Sequence, residues 1–309
     1  MNAKILAVIV ILVFIVSAVG IISLGDNEAA AEGDFTIVDD RGVEFTFNSS
    51  FTRIASLGKP FTQILYELGA GDKIVSVDTY SLDLKGTYPD IDNKTYVGGS
   101  IFGLDVEEVI KTNPDVIITY DYTSDSVKTR IAGMEEFFPV LAFYPKSYND
   151  VITLIQKIGM ISGETVKAVE LADQMKEVRN EIALTVAGVP QPKVYFELST
   201  YDERTANIGS VSHSLIVMAG GINVAQDVTM GTSYPTVPDT VMSWNPDIII
   251  VEDRHSKTNL EVLDVYKYPE RDDPLVYRFT TGYNTYDLNL MRGLMEMAEY
   301  LHPDLFDFT

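Results

Sequence analysis

Two stretches of this chain repeat each other on either side of one long helical segment, and this repetition limits the possible folds more than any other feature. Glu107-Glu108-Val109-Ile110-Lys111-Thr112-Asn113-Pro114-Asp115-Val116-Ile117-Ile118 recurs as Asp239-Thr240-Val241-Met242-Ser243-Trp244-Asn245-Pro246-Asp247-Ile248-Ile249-Ile250, at an offset of 132 (247 − 115). In each copy a helical stretch stops at Asn-Pro, because the residue before a proline avoids the helical region. A β-branched apolar run follows, as in a strand buried on both faces. A second pair, Ile64 to Val75 and Leu215 to Ala225, aligns at its glycines with an offset of 150 (221 − 71). Two such pairs in the same order imply two similar α/β lobes with different loop lengths.

The rest of the chain fits this scheme. Phe35 to Phe47 alternates about a Gly42 turn and reads as a hairpin. Strands are expected at Ile54–Leu57, Lys73–Val77, Val116–Ile118, Val194–Phe196 and Ile248–Val251, with helices between them. Such alternation implies parallel sheets with crossover helices. Asn149–Met160 and Glu164–Ala187 read as helices separated by Ser162-Gly163. The second, at 24 residues, would run about 36 Å. The expected organisation is an N-terminal lobe over 32–148, a helical segment over 149–188 with the bridging helix at 164–187, and a C-terminal lobe over 189–309. Two lobes bridged by one helix leave a cleft, and ligands of open α/β sheets bind beyond the carboxyl ends of the strands.

Length and composition bound the function. At 309 residues the chain is long enough for about two domains. Cys is 0, which excludes disulfides, thiolate metal sites, a thiol nucleophile and a lipidated N-terminal cysteine. The formal charge of −22 repels nucleic acid and anionic membranes. Met1 to Lys4 is short and basic, and Ile5 to Leu24 is nearly all apolar. Residues 1–31 therefore read as a signal peptide or a retained N-terminal anchor, with the body of the protein outside the cytoplasm. Asn48-Ser49-Ser50 and Asn93-Lys94-Thr95 fit glycosylation triplets.

Several stretches in one order resemble the helical-backbone (class III) periplasmic substrate-binding proteins of ABC importers. They are Asp40-Arg41-Gly42, Arg53-Ile54-Ala55-Ser56-Leu57, Leu65 through Asp72, Glu107 through Ile118, Ile158-Gly159 through Gly163, and Gly220-Gly221-Ile222-Asn223-Val224. The resemblance runs from about residue 35 to about residue 305. It implies two α/β lobes bridged by a rigid helix, modest closure on a ligand and delivery to an ABC transporter permease. It also implies one docking acid per lobe. These fall on Glu107 and Asp239, the latter a shorter substitute for the family's usual glutamate.

The ligand implied is a metal chelate: a ferric siderophore first, then a corrinoid, then haem. Tyr is 17 against Trp 1, and tyrosine joins a flat apolar face to a hydroxyl. Candidate ligand contacts are Lys59, Tyr80, Tyr120, Tyr122 and Tyr144 in the first lobe, and Ser199, Tyr201, Arg254, His255 and Tyr283 in the second. The three histidines, His213, His255 and His302, all lie in the second half, which disfavours a free transition-metal site drawn from both lobes. No cofactor is implied, the protein is expected to be a monomer, and the membrane is touched only through the N-terminal segment. Two other readings remain open at this level: a secreted cleft hydrolase using paired carboxylates, and a surface interaction protein. Gly209-Ser210-Val211-Ser212-His213 is not a nucleophile elbow, so no catalytic residue is assigned.

Overall fold

The computed structural model describes residues 34–198, 204–228, 233–235, 237–266 and 274–308. The N-terminal segment 1–31 thus lies outside the described residues. Among those described, no helix is long and apolar enough to cross a membrane.

The chain opens with an antiparallel hairpin, β1 (Phe35–Val38) and β2 (Glu44–Phe47), which turns through Gly42 at φ 81°. Asp39 organises the turn. Its Oδ1 accepts from the Arg41 and Val43 amides, and its Oδ2 accepts from Arg41 Nε and the Ala142 amide. Arg41 reaches on to Glu135 and the Val140 carbonyl. The Asp-Arg-Gly turn therefore fastens the hairpin to the first lobe.

That lobe is a five-stranded parallel sheet. Its strands are β3 (Ile54–Leu57), β4 (Ile74–Val77), β5 (Thr95–Tyr96), β6 (Val116–Tyr120) and β7 (Val140–Phe143), in the order β5-β4-β3-β6-β7. Three helices cover it: α1 (Lys59–Glu67), α2 (Val106–Lys111) and α3 (Asp125–Glu135). Helix α4 (Tyr148–Ser162) leads through Gly163, a left-handed cap, into α5 (Thr165–Thr185). Among the described residues the second lobe has six strands: β8 (Lys193–Glu197), β9 (Arg204–Ala206), β10 (Ile222–Asn223), β11 (Ser233–Pro235), β12 (Ile248–Glu252) and β13 (Leu275–Phe279). Here β10, β12 and β13 run parallel to their neighbours, whereas β9 and β11 are antiparallel. Its helices are α6 (Val211–Met218), α7 (Pro238–Trp244), α8 (Asn259–Val265) and α9 (Asn289–Leu301).

The Asn-Pro-Asp repeat is a structural clamp. Asn113 and Asn245 both turn through positive φ, 47° and 56°, a conformation asparagine tolerates better than most residues. The aspartate that follows seizes the start of the first strand of its own lobe. Asp115 donates its amide to the Arg53 carbonyl and accepts the Arg53 amide on its carboxylate. Asp247 does the same to Lys193. The second repeat is a helix stop. Gly69 and Gly220 take φ 88° and 83°, and paired amide-to-carbonyl bonds close each end: Ala70 to Leu65 and Gly69 to Tyr66, against Gly221 to Ile216 and Gly220 to Val217. The structural equivalence is Gly69 with Gly220, an offset of 151 (220 − 69), one residue from the alignment on glycine identity. The bond pattern decides the register; the second glycine of each pair does not.

The bridging helix is shorter than its sequence signal. Helix α5 has 21 residues, about 32 Å, because Glu164 is its cap and Val186 closes it. It does not stand alone. It lies along α4 and packs on α6 and α9, while α4 packs on α1. One continuous core runs from Ile54 and Phe61 in the first lobe, through Ile155, Ile158, Leu171 and Met175, to Val194, Phe196 and Leu294 in the second. Smaller apolar clusters sit on the outer face of each sheet.

Candidate functional site

In each lobe the first strand has neighbours on both sides, so the chain path switches direction between β3 and β6 and again between β8 and β12. These switch points are where open α/β sheets present ligand-binding loops. At the first, Gly58-Lys59 leaves β3 while Tyr120, Asp121 and Tyr122 leave β6. Gly58 is required by close approach: a Cβ there would lie 2.7 Å from the Tyr120 ring.

Three of the expected tyrosines come together there. Tyr120 and Tyr122 have ring centroids 5.2 Å apart, and Tyr122 and Tyr144 5.3 Å. Phe61 and Phe102 extend the cluster. Tyr144 is held at the end of β7 by the hairpin, its amide donating to Asp40 Oδ2 at 2.6 Å. The second lobe reaches this cluster with a residue that sequence reasoning missed. Tyr286, in the segment between β13 and α9, sits 6.2 Å from the Tyr120 ring and 5.8 Å from the Tyr144 ring. Sequence reasoning chose its neighbour Tyr283 from the same segment. Tyr283 is half-buried and packs on the core, its carbonyl pressed against Gly293. The segment has no periodicity from which the ring facing the other lobe could be read.

Burial raises the phenols of this cluster: Tyr120 and Tyr286 well above the ordinary value, Tyr122 up to about 12. The neighbouring tyrosines add to this, and the Asp78 charge acts on both Tyr120 and Tyr122. All three therefore stay protonated at neutral pH and act as hydroxyl donors and flat apolar faces. Asp78 is buried, accepts from Ser81, and ends a chain of hydroxyls through Thr62 to Ser56. Asp287, next to Tyr286, is also buried. Desolvation lifts its carboxyl to about 7, opposed by bonds from the Asn289 amide and Thr285 and by the Lys59 ammonium across the cleft. Lys59 pairs with Asp83 at 3.4 Å. Tyr80 is 57% exposed on a 3-10 turn, near enough to Tyr122 to influence it.

On the second lobe's switch point, Ser199 and Tyr201 lie outside the described residues. Arg254 is exposed just beyond β12. His255 is placed differently from the expected cleft contact. Its side chain is 0% exposed and bonds Glu197 Oε1 at 2.8 Å, while the Tyr266 hydroxyl holds Glu197 Oε2 at 2.5 Å. The ring is turned inward because the Glu197 carboxylate, at the buried end of β8, needs donors once removed from water. His213 meets Asn223 at 3.2 Å, and burial lowers its pKa. Among the described residues, no group of three or more histidines and carboxylates is placed to hold a metal ion.

Comparison with known proteins places this architecture. Residues 54–266 match the family described as "Periplasmic binding protein". The chain belongs to that family. This binding protein is 27% identical over 233 residues to a cobalamin-binding protein of Halobacterium salinarum; the match covers 73% of this chain and 60% of that relative's length. It is 26% identical over 286 residues to the uncharacterised ABC transporter substrate-binding lipoprotein YvrC of Bacillus subtilis, covering 88% of this chain and 86% of that one. The crystal structure of the periplasmic vitamin B12 binding protein BtuF of Vibrio cholerae superposes with a TM-score of 0.67 at 18% identity, over 82% of this chain and 97% of that one. It shares the two-lobed fold.

The family resemblance assigned one docking acid to each lobe of the binding protein. Glu107 and Asp239 occupy equivalent places, both exposed in the first turn of the helix that leads into Asn-Pro-Asp. Each of these helices reverses into a parallel strand, so its first turn lies at the carboxyl edge of the sheet, the edge that carries the cleft.

Proposed function

We propose that this protein is the extracytoplasmic substrate-binding component of an ABC importer, that it captures a corrinoid or related metal chelate between its lobes, and that it delivers the chelate to a membrane permease. The observation that carries this reading is the tyrosine cluster spanning the cleft, with Tyr120, Tyr122 and Tyr144 on one side and Tyr286 on the other. Flat faces with neutral hydroxyls suit a large macrocycle with a polar rim. Phenols held protonated are poor ligands for a bare ferric ion, which favours contact with the outside of a chelate. The name of a relative that matches 73% of this chain moves a corrinoid ahead of a ferric siderophore or haem.

In this scheme Lys59, Tyr80 and Arg254 lie at the rim, Ser199, Tyr201 and Tyr283 are further candidate ligand contacts, and His255 supports the floor of the second lobe through Glu197. Glu107 and Asp239 engage basic residues of the permease, and such exposed charges supply orientation more than affinity. The protein acts as a monomer and carries out no chemistry. Residues 1–31 direct it across the membrane or tether it at the outer face, and 32–148, 149–188 and 189–309 are its lobe, bridge and lobe.

The test is thermal unfolding of the purified protein with cyanocobalamin, ferric siderophores, haemin and free divalent metals. A ligand at about 100 times its dissociation constant adds about 2.7 kcal/mol, which is about 4–5 °C for a protein of this size. A shift with cyanocobalamin supports the corrinoid reading. A shift only with a siderophore or haemin keeps the importer reading and changes the chelate. No shift with any chelate refutes the proposal.

A further inference from the structure

The triplets Asn48-Ser49-Ser50 and Asn93-Lys94-Thr95 lie outside the tyrosine cluster. An Asn-x-Ser/Thr triplet serves as a saccharide acceptor when it lies on an exposed turn of a protein outside the cytoplasm. Both triplets meet the structural half of that condition. Asn48 is exposed in the bend that follows β2, and the contact to its side chain is a long one from Ser49 Oγ, 3.5 Å, to Oδ1. Asn93 is exposed at the end of a 3-10 helix, Pro89–Asn93, with Lys94 already extended at φ −84°, ψ 150°. Neither carboxamide nitrogen is engaged among the described residues.

Their placement adds a second argument. Thr95 pairs with Ser76 and Tyr96 with Val77, the end of β4, so Asn93 lies toward the amino end of that strand. Ser50 lies against Gly163, and Phe51 bonds the Ile161 carbonyl, so Asn48 sits before β3 begins, beside the turn between α4 and α5. Both asparagines thus occupy the amino-terminal edge of the first lobe's sheet. The cleft and the first turn of α2 occupy the opposite edge, about 13 Å of strand away. A bulky substituent at either position leaves the ligand and permease faces open. At Asn93 it would also cover β5, a two-residue outer strand whose free edge otherwise invites pairing with another chain.

We infer that Asn48 and Asn93 are N-glycosylation sites, which rests on the extracytoplasmic location proposed above. The co-reactant is a saccharide carried on a lipid phosphate. Asparagine Nδ2 forms a bond to the anomeric carbon, and the bond from that carbon to the phosphate oxygen breaks. The lipid phosphate leaves with the electron pair, and the amide proton passes to solvent.

The experiment uses the protein from membranes of the cell that makes it. Peptides bearing Asn48 and Asn93 are read by tandem mass spectrometry, and cells stripped of any outer membrane but with the cytoplasmic membrane intact are shaved with protease in parallel. Both peptides should carry saccharide increments. Asn48→Gln and Asn93→Gln should each remove one step of apparent mass, with the chelate-induced thermal shift unchanged. An unmodified peptide at either site overturns the inference for that site. If shaving removes the protein, the proposed location stands and only the glycosylation inference falls. If shaving leaves it intact, the proposed location falls as well.

Discussion

The contact between α4 and α5 is the tightest place in the bridge, and Gly159→Ala tests whether it holds the lobes in register. A Cβ at Gly159 would stand 2.2 Å from the Cβ of Ala168 and 3.3 Å from the Glu164 carbonyl. Carbon atoms pack at about 3.5–4.0 Å, so the helices must part by more than about 1 Å. Neither can move freely, because α4 is packed on α1 and α5 on α6 and α9 within one core. Overpacking of this kind costs about 1–3 kcal/mol. Replacing a helical glycine by alanine returns up to about 1 kcal/mol. The net expectation is a loss of about 1–2 kcal/mol, a fall in Tm of about 2–3 °C. Ala168→Gly in the same chain removes the clash, so the second substitution should cost less in the variant than in the parent by about 1 kcal/mol or more. Urea denaturation of the four proteins reads the cycle. A Gly159→Ala protein as stable as the parent or more so, with additive substitutions, would refute the argument.

Four further outcomes are expected. Tyr120→Ala and Tyr286→Ala should each weaken chelate binding at least about tenfold, since each removes a partly buried ring from the cleft; calorimetric titration showing parental affinity in both would remove the tyrosine cluster from the site. Glu107→Lys combined with Asp239→Lys should abolish uptake by cells while leaving affinity for the chelate intact, and normal uptake would count against the docking assignment. Tyr266→Phe takes one donor from the buried Glu197 carboxylate and should destabilise by about 1.5–3 kcal/mol; equal urea midpoints would contradict this. Burial lifts Asp287 to about 7, against about 3.9 in an unfolded chain. The folded state therefore binds the extra proton between these values, and the group's stabilising contribution is full below about pH 4 and lost as pH rises through about 7. Asp287→Asn should flatten stability across that window, and an unchanged pH slope would show that the carboxyl is not buried as described.

The two lobes were legible because their signals are local. Asn-Pro-Asp announces itself in three letters, since a left-handed asparagine, a helix-breaking proline and a strand-clamping aspartate each depend on immediate neighbours. Three of the four tyrosines of the cluster were legible for a similar reason: Tyr120, Tyr122 and Tyr144 lie at or just beyond the ends of strands that could be seen in the chain. His255 misled because it, too, follows a strand, and its position after Glu252 says nothing about the Glu197 carboxylate waiting 58 residues earlier. The bridge ends two residues earlier than its sequence signal, since the apolar spacing that marks a helix runs on through the Val186 cap.

From sequence alone came the alternation of strand and helix, the duplication, the hairpin and the edge of each sheet that would carry loops. These follow from backbone preferences and hydrophobic period, which act over a few residues. Only the tertiary structure decided that Tyr286 meets Tyr120 and Tyr144, that Lys59 faces Asp287, and that His255 turns inward. Those meetings depend on how α4 and α5 set one lobe against the other. Residues that touch across a cleft share no local pattern, so only the packing of the bridge brings them together.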